Sequence, residues 1–256
     1  MTSREEQKMS PPLDLLDGCP GFRRRIIVTP AAGVVCAAVE DDFHHFLIRV
    51  QHAEGRVTGL TVDAERFPWT TCPAAGDHLA AEVTGRPLAE IAQLDPLQHC
   101  THMFELIVLA AAHAAGDAPT RFDLTATDRI DGRTRVALAI DDSPVLAWDV
   151  HGSVIQGPAP WVGRELRRLS SWRQELTPEL REWAGLLRRV VQISQGRGLA
   201  LETRKTAADW GKGRLGACFT YQPERASEAT RIPGWIRNFS DDPVGPLAGY
   251  RAAALR

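Results

Sequence analysis

Two cysteines stand where the sequence pattern changes from strand to helix. Cys72 lies in Trp69-Thr-Thr-Cys-Pro-Ala-Ala-Gly76 and Cys100 in His99-Cys-Thr-His102, and an apolar repeat typical of a helix follows each of them. The unpaired N–H groups and the dipole at a helix N-terminus favour the thiolate form of a cysteine. The two thiols are therefore candidates for metal binding or for nucleophilic chemistry.

A third segment, Glu40-Asp-Asp-Phe-His-His45, places carboxylates and imidazoles at a tight turn. If this turn meets Cys72 and Cys100, the mixed sulfur, oxygen and nitrogen donors suit zinc or ferrous iron. The cysteine spacing does not match a CxxC motif, and a cysteine in an intracellular protein is most often a small buried hydrophobic residue. Metal ligands and inert core residues therefore both stay open.

The stretch from residue 34 to residue 117 resembles the U-type iron–sulfur cluster scaffold proteins. Those proteins have a three-stranded meander, then a cysteine that opens a helix rich in small residues, and later a His-Cys-Ser that opens an alanine-rich helix. In this chain Cys72 begins Cys-Pro-Ala-Ala-Gly-Asp-His-Leu-Ala-Ala-Glu, and His99-Cys-Thr precedes Ala110-Ala-Ala-His-Ala-Ala115. The whole chain also resembles a bacterial family whose function is not established.

The resemblance to the scaffolds implies a metal site. Asp42 falls on the scaffold aspartate, whereas Glu40 stands where the scaffolds have their first cysteine, and the lysine of their chaperone-binding segment is missing. The expected ligands of a mononuclear zinc or iron ion are therefore Asp42, Cys72, Cys100 and His99. An iron–sulfur cluster is the alternative cofactor.

Each of the other expected roles has a structural alternative. His44 and Glu40 are expected to move protons in catalysis, but His44 shares its strand face with Phe46 and is equally consistent with a core imidazole. His99 is alternatively a helix cap. Asp42 is expected on the buried strand face because it alternates with His44, or else it caps the turn by accepting backbone N–H bonds.

These residues need a framework of strands and helices to hold them, and the pattern predicts the α+β class: an antiparallel meander sheet packed by helices, with a second antiparallel strand set and C-terminal helices. The predicted strands are 22–29, 34–39, 43–52, 56–65, 121–128, 134–140 and 144–150, with one more around 217–222. Helices are predicted after Cys72, from Cys100 to Ala115, and from Thr177-Pro178 to Gly196.

Three regions are predicted along the chain. Residues 1–20 form a flexible leader, residues 21–117 a scaffold-like core with the candidate metal site, and residues 118–256 a hairpin and helical extension that covers the core. Arginine runs at 23–25, 167–168 and 188–189 are expected to be solvated faces that balance the acids, or alternatively to clamp an anionic substrate.

Composition limits the function classes. The 30 Lys and Arg residues nearly balance the 32 Asp and Glu residues, so the net charge is −2 and gives no electrostatic basis for nucleic-acid binding. No apolar stretch reaches the length of a membrane span, and no secretory signal is evident, so a cytoplasmic location is expected. Five widely spaced cysteines are unlike a disulfide framework.

The function expected from these features is a zinc- or iron-dependent enzyme, a hydrolase or lyase that acts on a small organic or acyl substrate. Its partner is a small molecule, with no nucleic acid and no membrane, and its oligomeric state stays open. One alternative is a carrier or scaffold for an iron–sulfur cluster or a persulfide. A second is a non-catalytic accessory protein whose cysteines are structural.

Overall fold

The computed structural model describes residues 15–251, so most of the predicted leader lies outside the described residues. Its centre is one antiparallel sheet of eight strands in the order β4-β3-β2-β1-β5-β6-β7-β8. The strands are β1 Gly21–Ala31, β2 Val34–Asp41, β3 His45–Ala53, β4 Arg56–Arg66, β5 Thr120–Thr127, β6 Arg133–Ile140, β7 Ser143–His151 and β8 Val154–Gly157. The predicted α+β class is confirmed.

The two strand sets predicted from the sequence are continuous with each other. β1 pairs with β2 on one side and with β5 on the other, and residues Gly21 to Val28 lie opposite residues Thr127 to Thr120. Strands from both sides of residue 118 therefore belong to the same sheet.

The helices lie against one face of the sheet. They are α1 Ala74–Val83, α2 Thr101–Ala112, α3 Leu169–Trp172 and α4 Pro178–Ile193. Helix α2 packs on β1 to β3, α4 packs on β5 and β6, and α1 packs on β4. Short 3-10 helices connect them or follow them: Leu88–Gln93, Pro96–Gln98, Leu166–Arg168, Arg173–Glu175, Ser194–Gly198, Leu201–Thr203, Ala207–Trp210 and Phe219–Tyr221.

The main core forms where alternate strand residues meet these helices. In β3, Phe46, Ile48 and Val50 are fully buried in this core, as their alternation predicts. The intervening residue Leu47 points to the other face of the sheet, where Leu247 of the C-terminal segment covers it. Strand register therefore decides which residues of β1 to β3 face the helices.

Helix α4 begins as the sequence predicts. Pro178 occupies its first turn, and the Thr177 hydroxyl oxygen accepts a hydrogen bond from the backbone N–H of Leu180 at 3.3 Å.

The predicted strand around 217–222 is wrong, because residues Phe219–Tyr221 form a 3-10 turn. In this segment the backbone N–H of Phe219 donates to the carbonyl of His99, and none of the eight strands of the described sheet pairs with it.

The substitution Thr177→Ala is expected to lower the free energy of unfolding by about 1 kcal/mol, because it removes the acceptor for a helix N-terminal N–H group. Urea denaturation measures the change. Thr177→Ser is the matched control, since it keeps the hydroxyl, and it should retain most of the stability. Equal losses in both variants would show that the cap does not stabilise α4.

Candidate metal centre

The turn between β2 and β3 places Asp41 and His44 together. One carboxylate oxygen of Asp41 accepts hydrogen bonds from the backbone N–H groups of Phe43 and His44, each at 2.9 Å. The same oxygen lies 3.1 Å from Nδ1 of His44. The guanidinium of Arg66 donates to the carbonyls of Asp41, Asp42 and His44, which fixes the backbone of the turn.

The second oxygen of Asp41 lies in a buried ion-pair network. Arg24 lies opposite Asp41 in the β1–β2 register, and its Nη1 donates to Oδ2 of Asp41 at 2.5 Å. The other terminal nitrogen of Arg24 donates to Glu105 of α2, and Arg189 of α4 lies 3.7 Å from Glu105. The side chains of Arg24 and Asp41 are 1% and 0% exposed. Buried charges persist only when paired in this way.

Helix α2 adds a second imidazole. The His102 ring stacks on the His44 ring with 3.7 Å between centroids and 28° between planes. Phe46 lies 6.0 Å from each ring. The Nε2 atom of His102 is buried and has no hydrogen-bond partner among the described residues. This nitrogen is available to bind a ligand, as are other buried polar atoms of the described residues that have no partner.

Burial and charge set the protonation of this group. Burial alone would raise the pKa of Asp41, but His44 and Arg24 together hold it well below its usual range, so Asp41 is ionised. Burial lowers the pKa of His102 well below its usual value, and His44 and Arg24 lower it further. His102 is therefore neutral near pH 7, which is the form that binds a metal or accepts a proton.

The donor set fits zinc or ferrous iron. One ligand atom from each of Asp41, His44 and His102 lies within 4.8 Å of the other two. Two imidazoles and a carboxylate are the usual ligands of catalytic zinc and of non-haem iron. In the stacked arrangement the lone pairs of the two rings do not converge on one point. Binding therefore requires at least one ring to rotate about its side-chain bonds.

The predicted ligand Asp42 lies apart from this group. Strand β2 ends at Asp41, and its odd-numbered residues face the helices, so the next residue turns away. The Asp42 carboxylate instead accepts a hydrogen bond from Nη1 of Arg197 at 2.5 Å. Burial raises the pKa of Asp42 to about 6, against the opposing effect of Arg197. The residue that the structure places beside His44 and His102 is therefore Asp41, the neighbour of the expected ligand Asp42.

Glu40, which was expected to move protons together with His44, lies apart from this group as well. It lies on the opposite face of β2 from Asp41, because neighbouring strand residues alternate. Its two carboxylate oxygens accept hydrogen bonds from Arg66 at 3.1 Å and from the backbone N–H of Leu247 at 2.6 Å. Glu40 therefore anchors the C-terminal segment to the sheet and does not share a site with His44.

The predicted cysteine ligands are buried in different places: Cys72 packs with Trp69 and Ala207, and Cys100 belongs to the main core. Cys72 and Cys100 are each 7% exposed. Burial raises the pKa of the Cys72 thiol well above its usual range and that of the Cys100 thiol to about 12. Within residues 15–251 only Asp41, His44 and His102 bring three such ligand atoms within 4.8 Å, so the predicted set of Asp42, Cys72, Cys100 and His99 is not assembled as one centre.

Sequence reasoning missed Asp41, His102 and Arg24. Val35, Ala37 and Val39 alternate along β2 and face the main core. The same alternation reaches residue 41, so it could have predicted that Asp41 faces the helices. His102 follows Cys100 by two positions, which places it on a different side of α2. The expectation that residues 23–25 are solvated is wrong, because Arg24 and Arg25 are 2% and 0% exposed.

A cavity of about 560 Å³ lies elsewhere, beside the ends of β5 to β7. Thr127, Asp128, Arg133 and Asp149 are among its lining residues, and none of the metal-centre residues lines it. Asp128 binds Arg197 at 2.5 Å, and Arg197 in turn binds Asp42. The cavity is therefore linked to the β2–β3 turn but separate from His44 and His102.

No family model matches the chain, and no curated protein matches it. Among the described residues, no helix combines the length and the apolar character needed to cross a membrane. The site is thus defined by its own geometry: a buried carboxylate, two stacked imidazoles and the arginine that holds the carboxylate.

Proposed function

We propose that this protein is a metal-dependent hydrolase or lyase in which Asp41, His44 and His102 bind one zinc or ferrous ion. The observation that carries the proposal is the grouping of these three donors within 4.8 Å around a buried imidazole nitrogen that has no partner among the described residues. The substrate is a small organic or acyl compound. A bound ion would polarise its carbonyl group or lower the pKa of a water molecule.

The surroundings of the group favour a catalytic site over a structural one. Three protein ligands leave a coordination position for water or substrate, whereas structural zinc sites are closed by four. The His44 side chain is 13% exposed, so the group can be approached from the His44 side. Arg24 fixes the orientation of Asp41 in the way that residues behind a metal ligand commonly do.

The proposal includes a cytoplasmic location and a small-molecule partner, with no nucleic acid or membrane surface involved. Support for the location comes from the five cysteines, which are all free thiols. Free thiols persist in reducing compartments. The near-balanced charge supports the absence of a nucleic-acid partner.

A cluster or persulfide carrier is the second candidate, because Cys72 lies just before α1 and Cys100 is the N-cap of α2. A carrier has to present its sulfurs to donor and acceptor proteins. Both sulfurs are nearly inaccessible here, and burial raises the pKa of both thiols. These features favour the metal-dependent enzyme.

The test is metal binding by the untagged, metal-free protein, with Co²⁺ as a spectroscopic probe for zinc. Wild type should bind one Co²⁺ with visible bands typical of nitrogen and oxygen ligands. Loss of an outer-shell partner weakens metal binding by roughly 10- to 100-fold. His102→Gln and Asp41→Asn each remove a direct ligand, so each should weaken Co²⁺ binding by more than that. His151→Gln is the control, since His151 is exposed on β7 and should bind as wild type does.

Two results would overturn the proposal. The first is a folded wild type that takes up no zinc, ferrous iron or Co²⁺ at this site. The second is a His102→Gln variant that binds Co²⁺ with wild-type affinity and spectrum. Either result would favour the alternative of a non-catalytic accessory protein.

A further inference from the structure

The cavity beside the ends of β5 to β7 has the size of a small-molecule site. Its volume of about 560 Å³ lies within the range of about 300–1,000 Å³ that is usual for such sites. Asp41, His44 and His102 are not among its lining residues. A ligand in this cavity would therefore occupy a site separate from the proposed metal centre.

Two opposite charges face the cavity without forming an ion pair. Arg135 of β6 lies directly opposite Asp149 of β7 in the strand register, so the two side chains are on the same face of the sheet. Opposite charges placed in this way usually pair across the strands. Here the Arg135 guanidinium lies 3.9 Å from the carboxylate of the exposed Asp17 instead, and the Asp149 carboxylate has no partner among residues 15–251.

Arg133 adds a second cation to the lining. It precedes Arg135 by two residues on β6, so it is on the same face of the sheet. Its guanidinium has no hydrogen-bond or ion-pair partner within the part of the chain that the structure describes. Asp128, the other acid of the lining, is already bound by Arg197 at 2.5 Å. The cavity therefore presents two arginines and one carboxylate to a ligand.

The rest of the lining suits an apolar body. Pro20, Ile130 and Val150 contribute apolar surface to the cavity. Ile130 is 74% exposed, more than any other large apolar side chain of the described residues. A ligand with apolar side chains would remove part of this surface from water, which is favourable.

We propose that this cavity binds a zwitterionic dipeptide with apolar side chains. The ligand carboxylate accepts hydrogen bonds from Arg133 and Arg135, because planar guanidinium groups match the geometry of a carboxylate. The ligand ammonium group donates to Asp149, and the ligand side chains lie against the apolar lining. A free amino acid carries both charges on one carbon, whereas a dipeptide separates them by a peptide unit, as the unpaired charges of Arg135 and Asp149 require.

The probe is L-leucyl-L-leucine, and calorimetric titration of the full chain measures its binding. Two analogues each lack one charge: N-acetyl-L-leucyl-L-leucine has no ammonium group, and L-leucyl-L-leucinamide has no carboxylate. Wild type should bind the dipeptide at millimolar concentration or below. It should bind each analogue at least about tenfold more weakly, because each analogue loses a hydrogen bond between charged groups.

Variants assign each charge of the ligand to its partner. Asp149→Asn should weaken dipeptide binding by at least about tenfold but should not change the affinity for the acetylated analogue, which has no ammonium group. The double variant Arg133→Gln with Arg135→Gln should have the corresponding effect, with the amide analogue unaffected. Asp63→Asn is the control, because Asp63 is an exposed acid on the edge strand β4, and it should bind the dipeptide as wild type does.

Cys19 provides a measurement that locates the ligand. It lines the cavity, and it is the one cysteine of the five that is fully exposed. Saturating dipeptide should slow the alkylation of Cys19 by iodoacetamide, followed by mass spectrometry. Cys218 is partly exposed and does not line the cavity, so its alkylation rate should not change.

Two results would overturn the dipeptide site. One is a folded wild type that binds no L-leucyl-L-leucine at millimolar concentration. The other is binding that Asp149→Asn does not weaken and that leaves Cys19 alkylation unchanged. Neither result depends on the metal centre, because metal-free protein and Asp41→Asn should both bind the dipeptide as wild type does.

Discussion

Replacing Arg24 by methionine is expected to lower the free energy of unfolding by about 3–5 kcal/mol. Arg24 is the cation that pairs with both Asp41 and Glu105, and Asp41 is completely buried. The pKa of Asp41 is held well below its usual range in part by Arg24, so the carboxylate stays charged in the folded protein. Urea denaturation of metal-free protein near pH 7 measures the loss.

Two controls separate this effect from the removal of a surface charge. Arg86→Met removes an exposed i,i+4 pair with Glu82, and it should cost less than about 1 kcal/mol. The double variant Arg24→Met with Asp41→Asn should regain part of the loss, because no unpaired charge then remains at Asp41. The interpretation fails if Arg24→Met is no more destabilising than Arg86→Met.

Much of the fold follows from local pattern. The alternation in β3, the proline and threonine at the start of α4, and the small-residue repeat of α1 each define an element from its own residues. Pairing of β1 with β5 has no such signal, because about 90 residues separate the two strands and no hairpin turn joins them. The single continuous sheet was therefore beyond sequence reasoning, although its strands were not.

The candidate metal centre could be predicted only in part. The turn after β2 and the candidate His44 were visible from residue type, but which of Asp41 and Asp42 lies beside His44 depends on where the strand ends. Burial of Arg24 depends on Glu105 of α2, which is distant in sequence. An arginine that pairs through tertiary contacts looks, in the sequence alone, like any solvated arginine.

The surroundings of the buried cysteines had a similar limit. Cys72 and Cys100 stand at predicted helix starts, which made both visible as candidates. Cys218 lies in a segment without a regular pattern, and the strand predicted around 217–222 is a 3-10 turn. Its place beside Cys72 is set by the Phe219–His99 backbone hydrogen bond and by the contact between Thr220 and the Cys72 thiol.

Acidification is expected to destabilise the metal-free protein through His102. Burial, His44 and Arg24 lower the pKa of His102 well below 6.5 in the folded state, whereas in the unfolded state it is about 6.5. As the pH falls below about 6.5, the unfolded chain binds a proton that the folded chain does not, so stability falls with pH until the folded pKa is reached. The slope from this one group is at most about 1.4 kcal/mol per pH unit.

The comparison with His102→Gln isolates that contribution, because glutamine does not titrate. Its free energy of unfolding should fall less steeply than that of wild type between about pH 7 and pH 5, by up to about 2 kcal/mol over the range. His45 and His99 also have lowered pKa values through burial, so both proteins retain some slope, and the difference between them reports His102. His151→Gln should follow wild type. If the wild-type and His102→Gln profiles are parallel, His102 is not held neutral beside the His44 ring. The stacked pair would then lack the neutral imidazole on which the proposed metal centre depends.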